Sequence, residues 1–444
     1  MSQTVYLETL GCAKNRVDSE IMMAALVGGN FVPVANPALA EVIVLNTCGF
    51  LTSAVNESLD RFLELAEYKE TGKCRCLVMA GCMSQRYRED LLEELPEADA
   101  ILGTSDFTQI LTVVNQSLLT QERRGWFKPR AGYEEANLTA PRLLSTLPHY
   151  AWVKIAEGCS NMCSFCSIPA LRGGFRSKGI LGVTQECKAL LGQGVKELNL
   201  ISQDTSSYGL DKGEDLLGLM RSLSKLEGDF WVRLFYSYPN RFPLELLDLM
   251  VQDPRFVPYL DIPFQHINDR VLKAMNRKIT GKELKGLIEA AKAKLPQVVF
   301  RTSLIVGFPG ETQKEFEELL SFVEEGWVDH LGVFAYSDED NISSYKLGSK
   351  LEEEEIEERR DRLMAAQQEV SLGKNQKQVG QIQKVLVEGT AKETELLLEG
   401  RNAFQGVEVD GVVLINEGEA QAGTFVQVEI IEAHPYDLVG RIIQ

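Results

Sequence analysis

The sequence predicts an α/β protein in three parts. Residues 1–119 read as an N-terminal parallel α/β domain, 149–372 as a central partial (β/α)6 barrel and 373–444 as a small C-terminal antiparallel β-barrel, with 120–148 as a linker. Three observations predict this. Apolar runs of strand length alternate with helical stretches in two separate regions, the pattern that builds parallel sheets covered by helices. The last stretch changes to short, nearly alternating runs divided by glycines, which describes a small antiparallel barrel. A chain of 444 residues also exceeds what one core usually organises.

In the first part, residues 5–10, 41–45 and 76–80 read as strands, and 18–27, 52–68 and 88–95 as helices. Cys12 follows Gly11 where the first strand ends, Cys48 follows the second strand and precedes Gly49, and Cys82 follows Gly81 after the third. All three stand at carboxyl ends of strands, the edge where open parallel sheets place their sites. A single cysteine is more often a small buried hydrophobe. Three at one edge can converge on one cofactor, and the adjacent glycines let the backbone crowd it. Cys74 and Cys76 fall at the opposite edge and Cys187 in a helical pattern, so these receive no cofactor role. Residues 120–148 mix Gly, Pro and charges without a period and read as a linker that can hold a hairpin.

In the central part six runs read as strands: 151–156, 195–201, 231–236, 259–263, 298–306 and 330–335. Helical stretches such as 183–191, 216–226, 244–251 and 315–324 separate them. Six such units give a barrel open on one side, with its chemistry expected at the carboxyl face. The loop after the first strand carries Cys159, Cys163 and Cys166. Thiolates are soft ligands suited to zinc, copper(I) or iron–sulfur clusters. Structural zinc takes four protein ligands, and no fourth Cys or His stands near. On a cubane cluster three ligands leave one iron open to a substrate or cofactor.

Other strand ends on that face are polar. Ser202, Gln203 and Asp204 end the second strand, Arg233 lies in the third, and Asp261, Gln265 and His266 lie along and past the fourth. A Gly-Phe-Pro-Gly-Glu turn at 307–311 follows the fifth. Each has an ordinary alternative as a hydrogen-bonded barrel residue. Asp261 and His266 are the catalytic candidates. Residues 352–370 read as a solvated helix joining two domains, acidic first and basic later, as a helix dipole favours. In the tail, 384–388, 412–415 and 425–430 read as strands.

The totals narrow the partners. Hydrophobic residues make up 44% and charged residues 25%, as in globular proteins. No secretory signal and no run long enough to cross a bilayer is read, so a cytoplasmic location without a membrane partner is expected. Nine cysteines then indicate reduced thiols and metal work. The net charge of −18 opposes a polyanion such as RNA and favours a basic protein. The tail follows suit, with six Lys plus Arg against eleven Asp plus Glu.

The cysteine loop resembles that of the radical S-adenosylmethionine (SAM) enzymes. With both cysteine sets in place, the chain resembles the methylthiotransferases across essentially its whole length, a family with a cluster-binding N-terminal domain, a radical SAM partial barrel and a TRAM barrel. The stretches LGCAKNRVDSE at 10–20, SIPALRGGFRS at 167–177, SQDTSSYG at 202–209 and YLDIPFQHINDRVL at 259–272 look like the branch that modifies an aspartate of ribosomal protein uS12. The other main branch modifies an adenosine in tRNA. Ser160-Asn-Met departs from the more basic residues common in the first branch.

The resemblance implies two 4Fe-4S clusters and SAM as cofactors. Cys159, Cys163 and Cys166 would hold one cluster, and Cys12, Cys48 and Cys82 the other. Phe165, Gln203, Arg233 and Glu311 are the expected SAM contacts. A radical derived from SAM would remove hydrogen from the aspartate β-carbon, which acid–base chemistry cannot activate. The second cluster would carry sulfur, capped by a methyl group from another SAM. The expected partners are uS12, an electron donor such as flavodoxin or ferredoxin, and a sulfur donor. A tRNA methylthiotransferase and a non-catalytic cluster carrier remain the alternatives.

Overall fold

A computed structural model describes residues 3–127, 140–392 and 394–443. The N-terminal sheet runs in the order Val32–Pro33, Thr4–Thr9, Val42–Thr47, Cys76–Gly81, Ala100–Leu102 and Arg124–Trp126, with every pairing parallel. Val42–Thr47 and Cys76–Gly81 are buried along their whole length. Such continuous apolar strands need cover on both faces, which parallel sheets receive from helices. Arg124–Trp126 lies in the stretch expected as a linker and instead adds a strand to the sheet edge. Residues 128–139 of that stretch, where the sequence can hold a hairpin, lie outside the described residues.

In the central domain the strands stand side by side in chain order, all parallel: Tyr150–Lys154, Glu197–Ile201, Trp231–Leu234, Phe256–Asp261, Val299–Val306 and His330–Ala335. The first and last do not pair, so the barrel stays open. Helices start where the sequence supplies reciprocal caps. Thr280 with Glu283 opens Gly281–Lys294, and Thr312 with Glu315 opens Gln313–Glu324.

Helix Glu353–Gln376 joins the central domain to the C-terminal barrel as its charge suggested, but one side of it is not solvated. It buries Ile356, Arg359, Leu363, Gln367 and Ser371. Arg359 pairs with Glu311 at 2.6 Å, and Gln367 donates to the Asp329 carbonyl at 3.0 Å. The dense charge of its outer face concealed this narrow inward stripe.

The C-terminal barrel closes in the order Ile382–Thr390, Leu398–Asn402, Val413–Glu417, Leu438–Ile442 and Phe425–Ala433. Val385, Val387, Val413, Ile415, Val428, Ile430 and Leu438 fill it. Its pairings are antiparallel except that between Val413–Glu417 and Leu438–Ile442, which is parallel and closes the barrel. No helix among the described residues is long and apolar enough to cross a membrane.

Candidate active site

The six cysteines line one cavity of ≈460 Å³ between the N-terminal domain and the mouth of the partial barrel. A larger groove of ≈660 Å³ lies where the barrel meets the C-terminal domain, but no cysteine lines it.

Each N-terminal thiol leaves a strand end. Cys12 precedes helix Ala13–Gly28, Cys48 follows Val42–Thr47, and Cys82 opens Cys82–Tyr87 directly after Cys76–Gly81. Asn15 ties the loops together: its Nδ2 donates to the carbonyls of Leu10 at 3.0 Å and Thr47 at 2.9 Å. Gly11 has φ +87°, and a Cβ there would stand 2.9 Å from Cys48 Cβ. Ser58 holds the backbone of Cys48 by donating to its carbonyl at 3.0 Å.

The second trio sits on a loop pinned from several sides. Cys159 N–H donates to the Gly173 carbonyl at 3.0 Å, and Ser164 N–H donates to that of Met275 at 3.0 Å. Asn161 donates from Nδ2 to Asp204 at 2.7 Å. Arg277 lies over the Tyr238 ring, 4.1 Å from its centroid, with Nη1 3.8 Å from Cys163 Sγ.

Burial pushes the thiols of Cys82 and Cys159 up to about 11 and that of Cys166 up to about 12. Such groups become thiolates when a metal replaces the proton. Cys12 behaves differently. It is exposed at the surface, and the Lys14 ammonium and Arg172 guanidinium hold its thiol below the ordinary value. Among the described residues no three His, Cys, Asp or Glu side chains close on a single-ion site. Sulfur-only trios opening on a shared cavity fit clusters, whose ligand sulfurs stand farther apart than those around one ion.

Behind the cavity the two domains meet in a buried charge network. Lys154 contacts Asp18 of the N-terminal domain and reaches Glu157 at 2.8 Å. Arg172 reaches Glu157 at 2.9 Å and also bonds Asn15. These cations hold the Glu157 carboxyl far below the usual range against the opposing effect of burial.

Of the other expected site residues, Phe165 and Gln203 line the cavity, and Gln203 donates to Glu157 at 3.0 Å. Arg233 does not. It is fully buried away from the cavity, paired with Glu197 at 2.8 Å and bonded to the Ala403 carbonyl at 2.9 Å. Glu311 is also outside, accepting from Gly307 N–H at 3.1 Å and from Arg359. His266 is buried, with Nδ1 accepting from Asn268 N–H at 2.9 Å, and burial pushes its pKa down to about 3. Gln265, with φ +74°, faces the cavity in its place. Asp261 serves structure: it accepts from Tyr236 N–H at 2.9 Å and from Arg301 at 3.0 Å. Neither catalytic candidate reaches the cavity. Cys74, Cys76 and Cys187 are buried elsewhere.

Sequence reasoning missed Lys14, Asn15, Arg172, Tyr236 and Arg277 as site residues. The first three lie inside the stretches that carried the resemblance. Tyr236 and Arg277 gave no separate signal.

Comparison with known proteins agrees with this arrangement. The model of Uncharacterized protein family UPF0004 matches residues 4–103, that of the Radical SAM superfamily 153–323 and that of the TRAM domain 379–443. A radical SAM methyltransferase, TsrM from Kitasatospora setae, solved with tryptophan and a SAM analogue, shares the fold. Its TM-score is 0.55 at 13% identity, covering 75% of this chain and 73% of that one. Fold and site thus define a radical SAM enzyme with a second cysteine trio facing the first.

Ribosomal protein uS12 methylthiotransferase RimO of Anaeromyxobacter sp. (strain K) is 44% identical across 100% of this chain and 94% of its own length. RimO of Syntrophotalea carbinolica (strain DSM 2380 / NBRC 103641 / GraBd1) is 43% identical across 99% and 96%. The chain belongs to the uS12 methylthiotransferase family.

Proposed function

We propose that the protein adds a methylthio group to the β-carbon of an aspartate of ribosomal protein uS12. Its cofactors are SAM and two 4Fe-4S clusters. The single observation that carries this reading is the convergence of two cysteine trios, from two domains, on one cavity. Cys159, Cys163 and Cys166 would hold one cluster and Cys12, Cys48 and Cys82 the other. When bound, clusters and SAM supply the electron, the hydrogen-abstracting radical, the sulfur and the methyl group.

The chain's own residues arrange the space. Phe165 and Gln203 contact SAM. Phe50, Ile168, Tyr236 and Pro263 add apolar wall that keeps water from reactive species. Lys14, Arg172 and Arg277 supply positive charge beside sulfur ligands that are anionic when bound to metal. The reaction takes place in the cytoplasm, with a flavodoxin or ferredoxin as electron donor and a separate sulfur donor.

The test is anaerobic incubation of the cluster-loaded protein with SAM, reductant and either uS12 or tRNA. Mass spectrometry is expected to find the methylthio increment on a uS12 aspartate. An increment confined to tRNA nucleosides would overturn the assignment, and failure to release 5′-deoxyadenosine would favour a cluster carrier.

A further inference from the structure

Three cations line the cavity, Lys14, Arg172 and Arg277, and none of its described lining residues is an aspartate or glutamate. Two of the three are committed. Arg172 is held by Glu157, Asp18 and Asn15. Arg277 bonds the Pro263 carbonyl and lies against Tyr238 and Cys163. Lys14 is different. Its side chain is buried, at 8% exposure, and its Nζ stands 3.4 Å from the centroid of the Tyr236 ring.

No carboxylate pairs with Lys14 among the described residues; its neighbours are the ring and the Cys12 thiol. An aromatic face takes up part of an ammonium's charge. It does not replace an anion for a cation withdrawn from water. The ring is also firmly placed. Tyr236 adopts φ +60°, and its N–H donates to the buried Asp261 carboxylate, which Arg301 holds in turn. Backbone strain of this kind persists only where the surroundings impose it.

Resting on the uS12 assignment, the geometry points to Lys14 as the residue that binds the side-chain carboxylate of the substrate aspartate. An aspartate entering this cavity sheds water and needs a cation in exchange. Of the three, Lys14 is the one that no carboxylate or carbonyl holds among the described residues. Lys14 also stands two residues beyond Cys12, on the sulfur-carrying side. The reacting β-carbon is bonded directly to the carboxylate carbon, so gripping the carboxylate also places the carbon. Neither asparagine nor an adenine base offers this anion, which makes Lys14 a specificity determinant.

The experiment uses cluster-loaded wild type, Lys14→Met and Lys14→Arg, each with SAM. The probes are uS12 carrying Asp or Asn at the position that gains the methylthio mass. Anisotropy of labelled uS12 reads binding, turnover separates KM from kcat, and iron content reports on folding and cluster retention. Wild type is expected to bind the Asp form about tenfold or more tightly than the Asn form. Lys14→Met is expected to erase that ratio with full iron content, and Lys14→Arg to recover part of it. An Asp-to-Asn ratio preserved in Lys14→Met would overturn the proposal. So would loss of iron in that variant, which would make Lys14 a cluster residue. If wild type modifies tRNA instead of uS12, the functional assignment fails first and Lys14's role falls with it.

Discussion

Arg401 of the C-terminal barrel donates to Glu197 of the central barrel at 2.5 Å, and both side chains are shut off from solvent. The same carboxylate accepts from Arg233 at 2.8 Å, so one anion serves two guanidinium groups from two domains. Breaking a buried pair leaves uncompensated charge and costs about 3–5 kcal/mol. Glu197→Gln is therefore expected to lower the thermal midpoint strongly. Arg233→Met is expected to do likewise while leaving SAM affinity within about twofold, because Arg233 lies outside the cavity. Equilibrium dialysis with SAM beside a melting curve checks this; a selective loss of SAM binding would return Arg233 to the site.

Replacing Cys12, Cys48 and Cys82 together by alanine should remove about half of the iron and sulfide if each trio holds one four-iron cluster. SAM cleavage to 5′-deoxyadenosine should persist while methylthio transfer is lost. Iron and sulfide assays with chromatography of the nucleoside decide it. An unchanged iron content would show that these thiols do not hold a cluster.

Two glycines give a complementary pair of tests. Gly158 has φ +77°, and a Cβ there would collide with the carbonyl oxygens of Gly173 and Gly174. Gly158→Ala should disturb the loop of Cys159, Cys163 and Cys166 and suppress SAM cleavage. Gly11→Ala presses on Cys48 instead and should spare SAM cleavage while lowering methylthio transfer. Identical profiles for both variants would contradict the assignment of the two trios to separate tasks.

His266 predicts a pH dependence. Burial holds its folded pKa at about 3, against about 6.5 in an unfolded chain. The unfolded state therefore binds the extra proton. Stability is fully present above about pH 6.5 and falls as pH drops toward 3, by at most about 1.4 kcal/mol per pH unit from this group. Melting curves of wild type and His266→Gln from pH 4 to 8 measure it. The variant's acid-side slope should be shallower, and an equal slope would remove His266 as the cause.

Much of this architecture was legible because parallel strands buried on both faces are written as continuous apolar runs. The six central strands were located that way. Short edge strands such as Val32–Pro33 and Arg124–Trp126 carry too few residues to show a pattern. The six cysteines stood out by position at strand ends. The surrounding polar residues did not, because a fully buried strand does not reveal where each side chain is directed. Arg233 thus reads like a cavity residue although Glu197 and the C-terminal barrel hold it. His266 and Gln265 exchange places because Gln265 takes a left-handed turn, which a glutamine does not announce.

The cluster of Asp18, Lys154, Glu157 and Arg172 has a consequence for how the molecule can be divided. Cut between its first two domains, one fragment would keep Asp18 stripped of its cations. The other would keep Lys154 and Arg172 without the Asp18 carboxylate they share. Neither piece could bare that surface cheaply, so recombination with a foreign partner would have to import matching charges. The N-terminal and central domains are a matched pair, each carrying the charges that the other needs.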